Sequence, residues 1–229
     1  LVKPDGGVRP IAILPLFAKV TEKVLLYQLP ITDAVGIRQV GVGRSNGAAI
    51  HAERLAALMR RRADDVDGCQ DRALLVIDCR NAYNTMSGKA ILDALLSKPE
   101  CSGILRYMNQ RLRNQSCRFV RTTTGVQCIY NERGVAQGSV LGPSVFAITL
   151  EKCVDRVMVR LEQSHQVCIQ GSGLLDDQGF VGSSQSLMYL WEILREELVN
   201  IGLELRPEKC QILWPCLLYT SDAADDQAC

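Results

Sequence analysis

Apolar and polar positions change period along the chain, and each change marks an element. Over residues 16–29 apolar residues recur at helical spacing (Phe17, Val20, Val24, Leu25), and Pro30 ends the run. Before it, Pro4-Asp5-Gly6-Gly7 is a tight-turn signal that predicts two short strands, the second over residues 8–14. Residues 36–47 are glycine-rich and irregular (Gly36, Gly41, Gly43, Gly47), without the order of a phosphate loop. Residues 48–62 predict a helix whose terminal Arg60-Arg61-Arg62 complements the helix dipole, and a loop follows at residues 64–68. Residues 73–77 form a continuous apolar run ending at Asp78, the pattern of a strand buried on both faces. Helices are predicted over residues 88–97 and 103–112, then a hairpin of residues 117–122 and 126–130 across Thr123-Thr124-Gly125.

The C-terminal half continues in the same way. Three glycines in residues 134–142 predict a loop that needs close backbone approach, and Pro143 suits the first turn of a helix running to about residue 163. Residues 167–174 and 179–181 read as two strand arms with Asp176-Asp177 at the tip between them. Residues 184–201 are amphipathic (Leu187, Leu190, Trp191, Leu194, Leu198) and Gly202 stops them. Short strands are expected at residues 203–205 and 210–213, with Lys209 between them. The mixture predicts an α+β fold.

Composition narrows the class of protein. The chain has 229 residues, 47% apolar and 22% charged, ordinary values for a globular protein with a core of its own. No apolar run is long enough to span a membrane, and no signal peptide opens the sequence. It starts at Leu1 and is patterned at once, as a fragment would be. Ten scattered cysteines form no C-x-x-C pair, and only His51 and His165 accompany them, which argues against zinc and suits a reducing, intracellular compartment. Residues 216–229 continue no earlier pattern. They resemble translated adapter read-through, so Asp225-Asp226 is not read as a site.

The net charge is +1, but it is unevenly spread. Residues 1–62 carry ten Lys/Arg against four Asp/Glu, and residues 106–133 carry six against one. Residues 63–105 carry four against seven, and residues 134–229 six against thirteen. Solvated helix faces give such blocks, and so does a polyanion-binding surface beside an acidic metal centre.

Two features carry the chemistry. Adjacent like charges at Asp176-Asp177 serve as an ordinary polar turn or as ligands for a divalent cation such as Mg²⁺. An Asp at the end of a buried strand, Asp78, is expensive without a partner and tips the reading toward a metal site. Lys3 and Arg9 flank the opening turn, either as surface cations or as a shared anion grip.

Five segments in sequence order resemble the motifs of reverse transcriptases, over residues 1–215. Val8-Arg9-Pro10-Ile11 looks like the fingers segment, and Asp78-Cys79-Arg80-Asn81-Ala82-Tyr83 like motif A. Gly134-Val135-Ala136-Gln137-Gly138-Ser139-Val140-Leu141-Gly142-Pro143 is similar to motif B, Leu174-Leu175-Asp176-Asp177 stands at motif C, and Gly202-Leu203-Glu204-Leu205 with Lys209 at motif D. The fingers segment and the stretch from Gln39-Val40-Gly41-Val42 onward look most like non-LTR retrotransposon or group II intron enzymes. The resemblance implies a right-hand polymerase palm, an antiparallel sheet packed on helices, with partial fingers. Residues 1–72 would be fingers, 73–215 palm with some fingers segments inserted, and 216–229 a non-native tail.

The implied activity is RNA-templated DNA synthesis, with an RNA template, a DNA primer and dNTPs as partners. Two Mg²⁺ ions roughly 3.5–4 Å apart, with Mn²⁺ as a substitute, stabilise the attacking and leaving oxygens in this chemistry. By resemblance Asp78, Asp176 and Asp177 are the catalytic metal ligands, with the backbone carbonyl of Cys79. Lys3 and Arg9 would grip the triphosphate, Tyr83 would lie under the sugar and exclude a 2′-hydroxyl, Gln137 and Gly138 would line the nucleotide pocket, and Lys209 would lie near the pyrophosphate. The basic blocks would track nucleic-acid backbones. A nuclear location follows if the element is eukaryotic; the oligomeric state does not follow from the motifs.

The chain departs from the family at Leu174, usually an aromatic residue, and at Leu175, usually a small residue or Met. The acids are intact, so the departure bears on primer placement more than on metal binding. The primer grip and thumb expected after motif D, and most of the N-terminal fingers, are missing from this sequence. Two rivals remain: an RNA-dependent RNA polymerase, against which Tyr83 and Gln137-Gly138 argue, and a decayed or domesticated domain that binds RNA without polymerising.

Overall fold

The apolar run after residue 71 forms the strand on which the architecture is built. A computed structural model describes residues 13–60, 72–113, 116–131, 133–167 and 169–214. The elements in order are α1 (Leu16–Gln28), α2 (Gly47–Arg60), β1 (Arg72–Ile77), α3 (Ala82–Thr85), α4 (Gly88–Leu96), α5 (Leu105–Arg113) and a hairpin of β2 (Ser116–Thr122) and β3 (Gly125–Asn131). Then come α6 (Gly142–His165), β4 (Gln170–Leu174), β5 (Asp177–Ser183), α7 (Ser184–Asn200) and β6 (Gln211–Leu213). One sheet has the order β4-β5-β1-β6, with every neighbouring pair antiparallel.

β1 is buried on both faces because its side chains alternate between two apolar layers. Ala73, Leu75 and Ile77 enter the main core with Phe180 and the buried residues of α4, α6 and α7. Leu74 and Val76 meet Leu55, Leu58 and Met59 of α2 on the other face. Full burial of a side chain such as Leu75 or Ile77 stabilises the fold by about 1.5–3 kcal/mol. α6 starts with Pro143 in its first turn and runs through the core, contributing Val145, Phe146, Ile148, Leu150, Val154 and Leu161. Ser183 caps α7 by accepting from the Ser186 amide at 3.1 Å.

Several expectations need correction. α1 forms and Leu25 packs with Leu26 against the main core, but Phe17 is 86% exposed, Val20 and Val24 are exposed too, and the only fully buried residue of this helix is Glu22. Hydrogen bonds to the Glu22 carboxylate, described below, turn the helix that way. Residues 203–205 form no strand, because only Leu205 pairs, in an isolated bridge with Cys79. The helix expected at residues 103–112 is a tight 3₁₀ segment (Pro99–Ile104) followed by α5. The short helix α3 was not expected; Asn81 turns into it with φ +46°. Ile13 and Leu14, the described end of the strand predicted over residues 8–14, are not in a strand. The rest of that strand, the loop at 64–68 and the tail 216–229 lie outside the described residues. Cys79, Cys101, Cys153 and Cys210 are free thiols, whereas Cys128 in β3 is paired in a disulfide. Among the described residues no helix is long and apolar enough to cross a membrane.

Candidate active site

Asp78 follows β1 directly, at the end of the sheet where the β4–β5 hairpin turns. The β1–β5 register pairs Ile77 with Gln178, so the next position on each strand is Asp78 and Asp177. Leu174 pairs with Asp177, which leaves Leu175-Asp176 as a two-residue turn. Asp177 is thus the first residue of β5, and only Asp176 of the two acids stands in the turn. Leu175 takes the left-handed conformation, φ +58°, that this type of turn demands and that a leucine disfavours.

On its other side Asp78 is held by the chain before β6. The Arg206 amide donates to the Asp78 carbonyl at 2.9 Å, and the Arg80 amide donates to the Glu204 carbonyl at 2.8 Å. These bonds frame the Cys79–Leu205 bridge as a non-hydrogen-bonded pair, so the Cys79 carbonyl points away from that strand, to the β5 side. Arg206 Nη1 lies 3.9 Å from Asp78 Oδ2 and its Nε lies 3.3 Å from Glu208. Arg206 is a cation beside the first acid that no motif announced.

The acids act on their neighbours electrically. The Asp177 carboxyl is raised above the ordinary carboxylate range, first by burial and then by the Asp78 charge. The Cys79 thiol is pushed up to about 12 by burial, with Asp78 and Asp176 adding to it. Burial and then the Asp176 charge likewise raise the Tyr83 phenol. Asp78, Asp176, Asp177, Cys79 and Tyr83 therefore share one neighbourhood. Among the described residues no three His, Cys, Asp or Glu side chains are already arranged as a metal cage. Mg²⁺ does not require one: it binds through one or two carboxylates and keeps waters and phosphate oxygens. Three carboxylates at one end of the sheet, with the Cys79 carbonyl on the β5 side, are a hard, all-oxygen donor set, which fits that ion.

Tyr83 stacks on Phe146 with ring centroids 4.3 Å apart and 8° between the planes. Its hydroxyl is buried without a hydrogen-bond partner in the described structure. The loop of residues 134–142 starts against this tyrosine: the Val135 amide donates to the Tyr83 carbonyl at 2.6 Å and the Gly134 amide to the Met86 carbonyl at 2.8 Å. Gly134 has φ +77°, and a Cβ there would run into the Tyr83–Asn84 backbone, so glycine is required. The far end of the loop is tied to Glu22, only 2% exposed. Its carboxylate accepts from Tyr107 Oη at 2.8 Å, Ser139 Oγ at 2.8 Å, Val140 N at 2.7 Å and Leu141 N at 3.4 Å. Between the two anchors lie Gln137, half-buried, and Gly138, exposed with φ +114°.

Lys209 is exposed at the end of the turn Pro207–Lys209, and its amide donates to the Arg206 carbonyl at 2.8 Å. This backbone bond joins it to Arg206, the cation beside Asp78. Lys3 and Arg9 lie outside the described residues. Sequence reasoning missed Glu22, Arg206 and the Phe146 platform.

Sheet, turn acids and anchored glycine loop together define a nucleotide polymerase palm. The chain belongs to the reverse transcriptase (RNA-dependent DNA polymerase) family, whose model matches residues 1–221 and so reaches into the segment set aside as a tail. A 132 kDa protein of the retrotransposable element SLACS from Trypanosoma brucei gambiense is 29% identical over 93% of the chain and 17% of its own length. A Pol polyprotein of the type-1 retrotransposable element R2 from Nasonia vitripennis is 24% identical over 90% of the chain and 20% of its own length. Both fit the non-LTR assignment made from the motifs. The chain spans about a fifth or less of these relatives.

Solved structures give the same fold. Apo telomerase from Candida tropicalis, truncated from its C-terminal domain, aligns with a TM-score of 0.60 at 14% identity, over 86% of this chain and 40% of that one. Candida albicans telomerase in complex with a TWJ fragment of telomeric RNA aligns at 0.58 and 14% identity, over 86% and 34%.

Proposed function

We propose that the chain is the catalytic fingers–palm part of a retroelement polymerase that extends a DNA primer on an RNA template with dNTPs. The observation that supports this most is the convergence of Asp78, Asp177 and the turn residue Asp176 at one end of the sheet. Two Mg²⁺ ions, when bound, would neutralise the triphosphate and lower the barrier to attack by the primer 3′-hydroxyl. Asp78 and Asp176 are the first-choice ligands, with the Cys79 carbonyl beside Asp78 and with Asp177 adding charge. The family, RNA-dependent DNA polymerases, supports an RNA template; the basic block at residues 106–133 supplies phosphate contacts. Gln137 and Gly138 line the approach of the base pair, and Arg9 with Lys3 grips phosphates.

Tyr83 sets sugar choice in this scheme. Its ring, fixed on Phe146, would fill the space of a ribose 2′-hydroxyl. Tyr83→Ala is expected to lose discrimination against ribonucleotides and to cost about 3 kcal/mol of stability through the cavity left over Phe146. Tyr83→Phe keeps the ring and removes the unpartnered hydroxyl, so it should keep discrimination and fold at least as stably as the original. Steady-state incorporation of dNTPs against rNTPs, with thermal melts, checks both. Unchanged discrimination in Tyr83→Ala would remove the gate.

The test of the proposal is primer extension on an RNA template with Mg²⁺, using this chain as it stands and extended at both ends to the length of its relatives. Incorporation of dNTPs is expected. RNA retained without incorporation would indicate a binding-only descendant and overturn the polymerase reading. Incorporation of rNTPs alone would make it an RNA polymerase.

A further inference from the structure

We infer that Gln39 is a positioning residue for the catalytic hairpin: its side chain clamps the backbone of Leu175 and so sets where Asp176 stands. This rests on the polymerase reading for its catalytic consequence, but not for its geometry. Gln39 lies in the glycine-rich stretch that the polymerase motifs leave without a role.

The geometry is specific. Gln39 is 1% exposed, a burial that an amide tolerates only with its polar atoms bonded. Its Oε1 accepts from the Leu175 amide at 2.6 Å, and its Nε2 donates to the Leu175 carbonyl at 3.1 Å. One side chain therefore satisfies both backbone groups of a single residue. That residue is the left-handed Leu175, immediately before Asp176. A non-glycine residue disfavours this conformation, and the two hydrogen bonds offset that cost. Gln178 Nε2 adds a third bond to the same carbonyl at 2.7 Å.

The clamp is itself held. Residues 38–40 lie along the free edge of β4, with the Val40 amide donating to the Gly173 carbonyl at 2.7 Å and the Gly173 amide to the Arg38 carbonyl at 2.9 Å. Arg38 is tied to α6 by ion pairs with Glu151, at 3.0 Å, and with Asp155. His51 of α2 meets Ser172 at 3.0 Å. Gly41 passes so close to the turn that a Cβ would lie 2.8 Å from Leu175 Cγ and 2.9 Å from Leu175 N. The sequence Gln39-Val40-Gly41 is thus fitted to the Leu175 turn: the amide holds its backbone and the glycine admits its side chain. Asp176 follows Leu175 directly, so holding the Leu175 backbone sets where the Asp176 carboxylate starts.

Hydrogen exchange in the unmutated full chain tests the clamp first. The Leu175 amide and the Gln39 side-chain NH₂ should both exchange slowly; fast exchange at either overturns the proposal without any variant. In Gln39→Met, which keeps volume and removes both bonds, Leu175 exchange should accelerate about tenfold or more, while the β5 amides of Phe180 and Val181 stay protected. Unchanged Leu175 exchange overturns the clamp. Gln39→Glu retains an acceptor for the Leu175 amide and should keep that amide protected. In primer extension, Gln39→Met should lower kcat about tenfold and raise the Mg²⁺ concentration needed for half-maximal rate, with the KM for dNTP within about twofold. Adding Leu175→Gly, which takes a positive φ without strain, should restore part of kcat. A KM effect alone, or no rescue, overturns the positioning role. If the unmutated chain does not polymerise, the catalytic consequence fails with the polymerase reading, and the exchange results still judge the clamp.

Discussion

Asp78→Asn is expected to reduce DNA synthesis by about three to five orders of magnitude while leaving the fold intact. A carboxylate that neutralises developing charge through a bound metal is worth several kcal/mol of barrier, and each 1.4 kcal/mol is tenfold in rate. The substitution keeps shape and removes charge. The backbone bonds that hold the position do not depend on that charge: the Arg206 amide still meets the residue 78 carbonyl, and the residue 78 amide still lies 3.4 Å from Cys210 Sγ. The lost partner of Arg206 is a long pair of 3.9 Å, and Glu208 remains. Exposed or long pairs contribute about 0–1 kcal/mol, so the melting temperature should fall by no more than about 2–4 °C. Single-turnover dNTP incorporation on an RNA template, run beside an RNA-retention assay and a thermal melt, separates these effects. A rate within tenfold of the original would remove Asp78 from the catalytic set; a collapsed melt would show that the residue is structural.

How far the sequence carried this picture depended on the range of the interactions involved. β1 was legible because burial on both faces writes a continuous apolar run, and its final Asp78 stood out against that run. The order of the elements followed from periods and turns that are local, whereas the antiparallel palm sheet was implied by the motif resemblance and is what the structure shows. The details of the acid hairpin did not follow. Nothing in Leu174-Leu175-Asp176-Asp177 shows what holds Leu175 at φ +58°: one bond comes from Gln178 close by, but two come from Gln39, 136 residues earlier. The facing of α1 was not legible for the same reason. Its apolar spacing was correctly periodic, yet Phe17, Val20 and Val24 point outward and Glu22 points in, toward partners 85 to 119 residues downstream. A buried carboxylate is invisible to a hydrophobic pattern, and only the donors around it explain its place. Lys3 and Arg9 fall outside the described residues, so their assignment rests on motif resemblance.

Glu22→Ala should be as damaging as a large truncation in the core, costing about 3 kcal/mol of stability and, in a 229-residue chain, about 6–12 °C in melting temperature. The carboxylate accepts from two hydroxyls and from the Val140 and Leu141 amides. Truncation leaves those donors facing a void, and unmet buried donors cost about 1–3 kcal/mol each when water cannot replace the acceptor. Glu22→Gln keeps one acceptor oxygen for the loop and an amide beside Tyr107, whose hydroxyl can turn to accept from it, so its cost should be about 1 kcal/mol. The effect on function follows from what is tied down. Ser139 to Leu141 are the C-terminal anchor of the loop that holds Gln137 and Gly138, so a freed loop should raise the KM for dNTP more than it lowers kcat. Tyr107 reports the same contact optically. Its phenol is pushed up to about 12, first by burial and then by its bond to Glu22. The folded state holds that proton more tightly than the unfolded chain, so the bond's contribution is complete below pH 10 and is lost as pH rises toward 12. Tyrosinate absorbance should therefore appear at lower pH in Glu22→Ala than in the original. An unshifted tyrosinate titration together with an unchanged melt would mean that α1 does not anchor the glycine loop.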